Sequence, residues 1–180
     1  MAEASQLWKF RDESSTTAMA IGSQGRYGAV GGRRSGVVFL GQDGRPVWRS
    51  REISDVRDIS LAGGGRAVLV ASGDNTVHYL DRRGREMWHR SLNHAATTVG
   101  VSSRADLVVT GLLRGSLHAY DRTGKLLWEH RPGGTDFRIN DVAISANGQY
   151  VVVGTDYAHV YLYSASGNVL WSVETTGKVL

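Results

Sequence analysis

Every tryptophan in this chain obeys one spacing. Trp8, Trp48, Trp88, Trp128 and Trp171 are separated by 40, 40, 40 and 43 residues. A fixed period of this size marks an internal repeat, in which each unit is a small supersecondary module that buries its apolar surface on its neighbours. A glycine precedes four of the tryptophans at one offset, at Gly44, Gly84, Gly124 and Gly167. Upstream, Ile21, Leu61, Val101 and Ile144 fall in the same register. The three additional residues of the last period fall within Arg131–Asn140, between two repeats, where an insertion marks a loop.

Within each period the apolar runs are short and β-rich. One set is Tyr27–Gly31, Ala67–Ala71, Leu107–Gly111 and Tyr150–Gly154, and the next is Val37–Leu40, Val77–Leu80, Leu117–Tyr120 and Val160–Tyr163. Between them stand Gly, Asn, Asp and Ser, which supply the positive-φ positions of tight hairpins, as in Gln42–Arg45 and Ala146–Gln149. No segment sustains a helical period. The pattern predicts four strands, A to D, per repeat, with the tryptophan on strand D. Runs such as Ala67–Val70 and Tyr150–Val153 are apolar on both faces, which suits sheets sandwiched between sheets. The expected fold is therefore all-β, a β-propeller of four-stranded antiparallel blades, with a solenoid of hairpins as the alternative. Residues 1–180 read as one domain, with blades at about 14–50, 55–91, 95–131 and 138–174, and an additional N-terminal strand D at 5–11.

Composition narrows the chemistry. With no cysteine there is no disulfide, thiol nucleophile or Cys-ligated metal site. No apolar run approaches the ~20 residues of a membrane span, and Met1–Phe10 lacks the features of a secretory leader, so a cytoplasmic protein without a membrane partner is expected. There is no Walker loop, nucleophile elbow or H-E-x-x-H pair. Gly63–Gly65 is an A–B turn by its repeat position. The six histidines scatter, although His78 and His118 share a strand-C position, so no metal site is expected. The net charge of +4 comes from residues 1–90, which hold 14 Lys+Arg against 10 Asp+Glu, whereas 91–180 hold seven of each. Arg26, Arg45, Arg66, Arg82, Arg83, Arg85, Arg104, Arg122 and Lys125 fall in A–B and C–D turns. Asp43, Asp81, Asp106 and Asp121 share those turns, so the rim reads as ordinary solvated surface and not as a nucleic-acid site. The opposite face carries the D–A and B–C connections. Its candidate partner-binding residues are Arg33, Arg34, Arg114, Phe137, Arg138 and Tyr157, with Phe137 either an exposed anchor or a core residue.

The endings Ala119–Trp128 and Tyr163–Trp171 resemble the tryptophan-docking repeat of the pyrroloquinoline-quinone-like propellers, and Val142–Gly154 is similar to WD-repeat blades. The first resemblance implies a glycine in each C–D turn, a tryptophan packed between adjacent blades, and eight blades in a ring. The turn from Asp121 to Gly124 is one residue shorter than the quinoprotein pattern, and no WD dipeptide follows the C strands. A quinone-dependent dehydrogenase would, by that resemblance, need calcium held by Glu, Asn and Asp beside a catalytic Asp, and often a cysteine clamp. This chain has no cysteine and no recognisable acidic cluster, so no catalytic residues and no cofactor are expected. The terminal blades are as apolar as the interior ones, which leaves three arrangements: a small four-bladed ring, part of a longer chain, or two copies forming eight blades. The last is favoured here, a homo-oligomeric interaction scaffold with an unknown protein partner. A ligand-binding or vestigial quinoprotein-like domain is the alternative.

Overall fold

A computed structural model describes residues 8–11, 15–133 and 137–179. Its sixteen strands form four antiparallel sheets, each a meander of consecutive strands. Blade 1 holds β1 (Thr16–Ile21), β2 (Tyr27–Gly32), β3 (Gly36–Gly41) and β4 (Pro46–Ser50). Blade 2 holds β5 (Val56–Leu61), β6 (Ala67–Ser72), β7 (Thr76–Asp81) and β8 (Glu86–Ser91). Blade 3 holds β9 (Ala96–Val101), β10 (Val108–Leu112), β11 (Leu117–Tyr120) and β12 (Leu126–His130). Blade 4 holds β13 (Ile139–Ile144), β14 (Tyr150–Thr155), β15 (His159–Ser164) and β16 (Val169–Glu174). The repeat therefore reads as propeller blades, A to D in chain order. Their inner strands touch in series, β1 with β5, β5 with β9 and β9 with β13, and the series does not close on itself. Residues 8–11 carry no strand ladder, and the rest of the strand expected at 5–11 lies outside the described residues, as does part of the Arg131–Asn140 loop.

Local chemistry sets the turns. Each C–D turn is an Asx or Ser turn. In blade 2, Oδ1 of Asp81 accepts the backbone N–H groups of Arg83 and Arg85, and Asp121 does the same for Thr123 and Lys125. The glycine that follows has a φ between 75° and 85° at Gly44, Gly84, Gly124 and Gly167, which selects glycine there. The expected A–B turn at Gly63–Gly65 is a single 3₁₀ turn with Gly64 and Gly65 both left-handed. The equivalent of Gly65 in blade 3 is Ala105, which takes φ 60° without being glycine.

Three core clusters occupy the three interfaces between blades. Ala29, Val37 and Phe39 of blade 1 meet Ile59, Val68, Val70 and Leu80 of blade 2. Leu69, Val77 and Trp88 meet Val99, Val108 and Tyr120. Leu107, Val109 and Ala119 meet Val142, Val151, Val153 and Tyr163. Strand A of blades 2, 3 and 4 begins with a residue seated on strand B of the blade before it. A Cβ on Gly31 would lie 2.7 Å from Cγ1 of Val56, and Gly111 is more tightly crowded still by Ile139. In blade 2 that glycine position is Ala71, and the residue seated there is the smaller Ala96. Volume is conserved across the pair, as close packing demands.

Candidate functional site

The first functional geometry is the joint between blades. Trp48 reaches forward from β4 and lays its indole over the C–D turn of blade 2. A Cβ on Gly84 would lie 2.7 Å from its Cδ2, and Nε1 donates to the Arg82 carbonyl at 2.9 Å. Trp88 repeats this on Gly124 and the Arg122 carbonyl at 3.1 Å, and Trp128 on Gly167 and the Ala165 carbonyl at 2.8 Å. Trp8 makes the same bond to the Gln42 carbonyl, at 2.9 Å, and covers Gly44. The indoles also stack on aromatics, Trp48 on Phe39 and Trp88 on Tyr79 within a blade, and Trp128 on Tyr163 across the joint. Other groups fasten the same seams. The Arg82 guanidinium sits 5.0 Å over the Tyr27 ring and donates to the Gly64 carbonyl. This absorbs one arginine of the predicted rim into structure. Arg45, Arg85 and Arg104 pair with Asp43, Asp81 and Asp106 of their own turns, which keeps that rim locally balanced.

At the two ends of the array these joints lack a partner blade. Leu107 and Val109 are buried under blade 4, whereas their blade 4 equivalents Tyr150 and Val152 are 47% and 36% exposed. Trp171, the fifth tryptophan, is 45% exposed, and among the described residues no C–D turn follows it. At the other end Ile59 is buried, yet its blade 1 equivalent Met19 is 74% exposed and Ile21 is 73% exposed. Met19, Ile21, Tyr27 and Leu40 line an apolar groove of about 600 Å³ that Trp8 borders.

The second geometry lies on the face of the D–A and B–C connections. Of the six candidates there, the structure brings Phe137 and Tyr157 together, in a cleft of about 340 Å³ shared with Gly133, Thr155, His159 and Tyr161. Tyr157, His159 and Tyr161 form a stacked column, with ring centroids 5.8 and 5.9 Å apart. The His159 Nδ1–H donates to the Tyr157 carbonyl at 2.7 Å, fixing the tautomer. Of the two readings open for Phe137 the structure has the core one, at the floor of the blade 3–4 core, whereas Tyr157 is 68% exposed. Arg138 lies instead in a small pocket with Arg57 and Leu113. The carbonyl of Arg114 receives two bonds from Arg131. Arg33, in the β2–β3 turn of blade 1, lies 3.7 Å from Asp55 in the connection to blade 2, and Arg34 follows it in the same turn.

Two polar clusters escaped the sequence reading. His78 and His89 both direct Nδ1 at the Glu86 carboxylate, at 2.6 and 3.1 Å, in a cleft with Glu52. The two histidines hold that carboxyl below the usual carboxylate range, against the opposing effect of its desolvation. Their strand pairing, His78 opposite His89, is the signal that would have found them. Near the axis, Asp58 accepts the Val99 N–H and the Thr98 hydroxyl, and burial raises its carboxyl above the ordinary range. Among the described residues no three His, Asp or Glu side chains gather so as to hold a metal.

A family model described as outer membrane protein assembly factor BamB matches residues 2–145 and again 113–180. The chain belongs to that family. The match falls on the quinoprotein-like side of the two resemblances and runs through all four blades of the BamB-like array. No curated protein matches the chain. Among the described residues no helix is long and apolar enough to cross a membrane.

Proposed function

We propose that this BamB-like chain is a non-enzymatic interaction scaffold whose open blade array is completed by self-association, two copies contributing the blades of one ring. The observation that carries the reading is the pair of end faces that no neighbouring blade covers, with Tyr150, Val152, Trp171 and Val173 exposed on blade 4 and Met19 and Ile21 on blade 1. Their equivalents at the internal joints are covered. Full burial of such a side chain is worth about 1.5–3 kcal/mol, and the part of it still exposed here, about half, favours contact between the two faces. The matched family is described as an assembly factor for outer membrane proteins, a role that suits a scaffold without chemistry of its own. On this reading the column of Tyr157, His159 and Tyr161 offers a protein partner an aromatic surface on the connection face. Cytoplasmic placement, expected from the sequence, is kept as part of the proposal, and fractionation of the source cells tests it against outer-membrane association. Light-scattering mass across a concentration series tests self-association. A particle of twice 19.6 kDa is the expected result, and a monomer at every concentration overturns it.

A further inference from the structure

The end faces are not bare, and what lies on them copies the internal joints. On blade 1, Trp8 bonds the Gln42 carbonyl and covers Gly44 as Trp48, Trp88 and Trp128 do for the next three blades. On blade 4, Val179 stands where a following blade would begin. The series Thr16, Val56, Ala96, Ile139 and Val179 is spaced by 40, 40, 43 and 40 residues. A Cβ on Gly154 would lie 2.6 Å from Cγ1 of Val179, as Gly31 is crowded by Val56 at 2.7 Å. The carbonyls match too. Thr17 donates to the carbonyl of Val56 and Thr97 to that of Ile139, each at 2.6 Å, and Asn140 Nδ2 donates to the carbonyl of Val179, also at 2.6 Å. The Val179 N–H adds a bond to the Thr155 carbonyl at 3.1 Å.

We infer that Trp8 and Val179 are caps in cis, each seated where a second copy of this chain would place its own residue. Resting on the self-association reading, this assigns the contact atom by atom. Trp171 of one copy enters the Gly44 turn of the other in place of Trp8, and Thr16 of that other copy takes the Gly154 seat in place of Val179. The occupant is a second copy because the three joints inside this chain already show which forward face fits which backward face. One seat cannot hold two indoles, so joining the copies requires exchange of both caps. Capping thus weakens association in proportion to how well the caps bind.

The test uses the full chain and its variants W8A/V179G, W171A and W8A/V179G/W171A, with circular dichroism confirming the fold. Trp171 is exposed, so its removal leaves the blades intact. Sedimentation equilibrium is expected to show W8A/V179G associating at least 10-fold more tightly than the parent. Removal of Trp171 should abolish that gain, and W171F should restore part of it. If the parent associates but W8A/V179G is no tighter, or if the triple variant stays as tight as the double, the caps and seats assigned here are wrong while self-association stands. If neither the parent nor W8A/V179G associates at any concentration, the self-association reading itself falls.

Discussion

Replacing Gly44 and Gly124 by alanine, one at a time, separates the backbone cost of the turn from the worth of a docked indole. Both glycines are left-handed, with φ of 75° and 80°. An L side chain in that region costs about 1–2 kcal/mol, and this part is common to the two variants. The second part differs. At Gly124 the new Cβ would lie 2.8 Å from Cδ2 of Trp88, which is only 8% exposed and packs against both Tyr79 and Tyr120. Trp88 cannot withdraw without opening the blade 2–3 core, and losing a buried tryptophan outright costs about 3–5 kcal/mol. At Gly44 the Cβ meets Trp8 instead, which is 43% exposed and can swing into solvent. G44A is therefore expected to cost about 1–2 kcal/mol and G124A about 4–7 kcal/mol. Urea titration followed by circular dichroism reads both, and thermal midpoints should fall by ~2–4 °C per kcal/mol for a chain of this size. Equal losses, within ~0.5 kcal/mol, would show that the indole adds nothing beyond turn geometry and would refute the docking argument.

Three further outcomes follow from particular residues. Burial holds the His118 imidazole below the ordinary histidine value, with Glu129, 3.3 Å from its Nε2, opposing the shift. Because the folded value is the lower one, the unfolded chain takes up the proton first. Stability present above pH ~6.5 should decline as pH falls between the two values, and H118Q should flatten that segment of a urea-midpoint profile. Ala158 takes φ 54° in a B–C turn, so A158G should raise stability by about 0.5–1 kcal/mol after the unfolded-state entropy of glycine is counted, read by the same titration. F137A should cost about 3 kcal/mol or more, whereas Y157A should leave the urea midpoint unchanged and weaken only partner capture in pull-down.

The blade count, the strand order and the turns were legible because a period of 40 residues is imposed by stacking and leaves one tryptophan and one glycine per joint. What each tryptophan touches was not legible, since the docked glycine belongs to the next repeat and not to its own. Ala105 and Ala158 take left-handed turns that alanine does not favour, so the residue type alone gave no signal there. The Ala71–Ala96 pair was equally hidden, being a compensation between two blades. At the connection face the sequence named Phe137 and Tyr157 but could not say which pointed outward. The depth of a loop residue depends on the blade it falls against, here the Val142, Val153 and Tyr163 side of blade 4. The His78–Glu86–His89 bridge needed strand register, which places residues from β7 and β8 opposite one another.

The forward and backward faces of a blade are different surfaces, and this has a consequence for growth. A contact between unlike faces has no self-limiting symmetry: it ends only when the turn accumulated per copy divides a full circle. Should the rotation across four blades fall short of a half circle, the same tryptophan joint would add copies without end and draw the protein into filaments. The fate of the assembly, ring or fibre, then rests on the small angle set by each glycine turn.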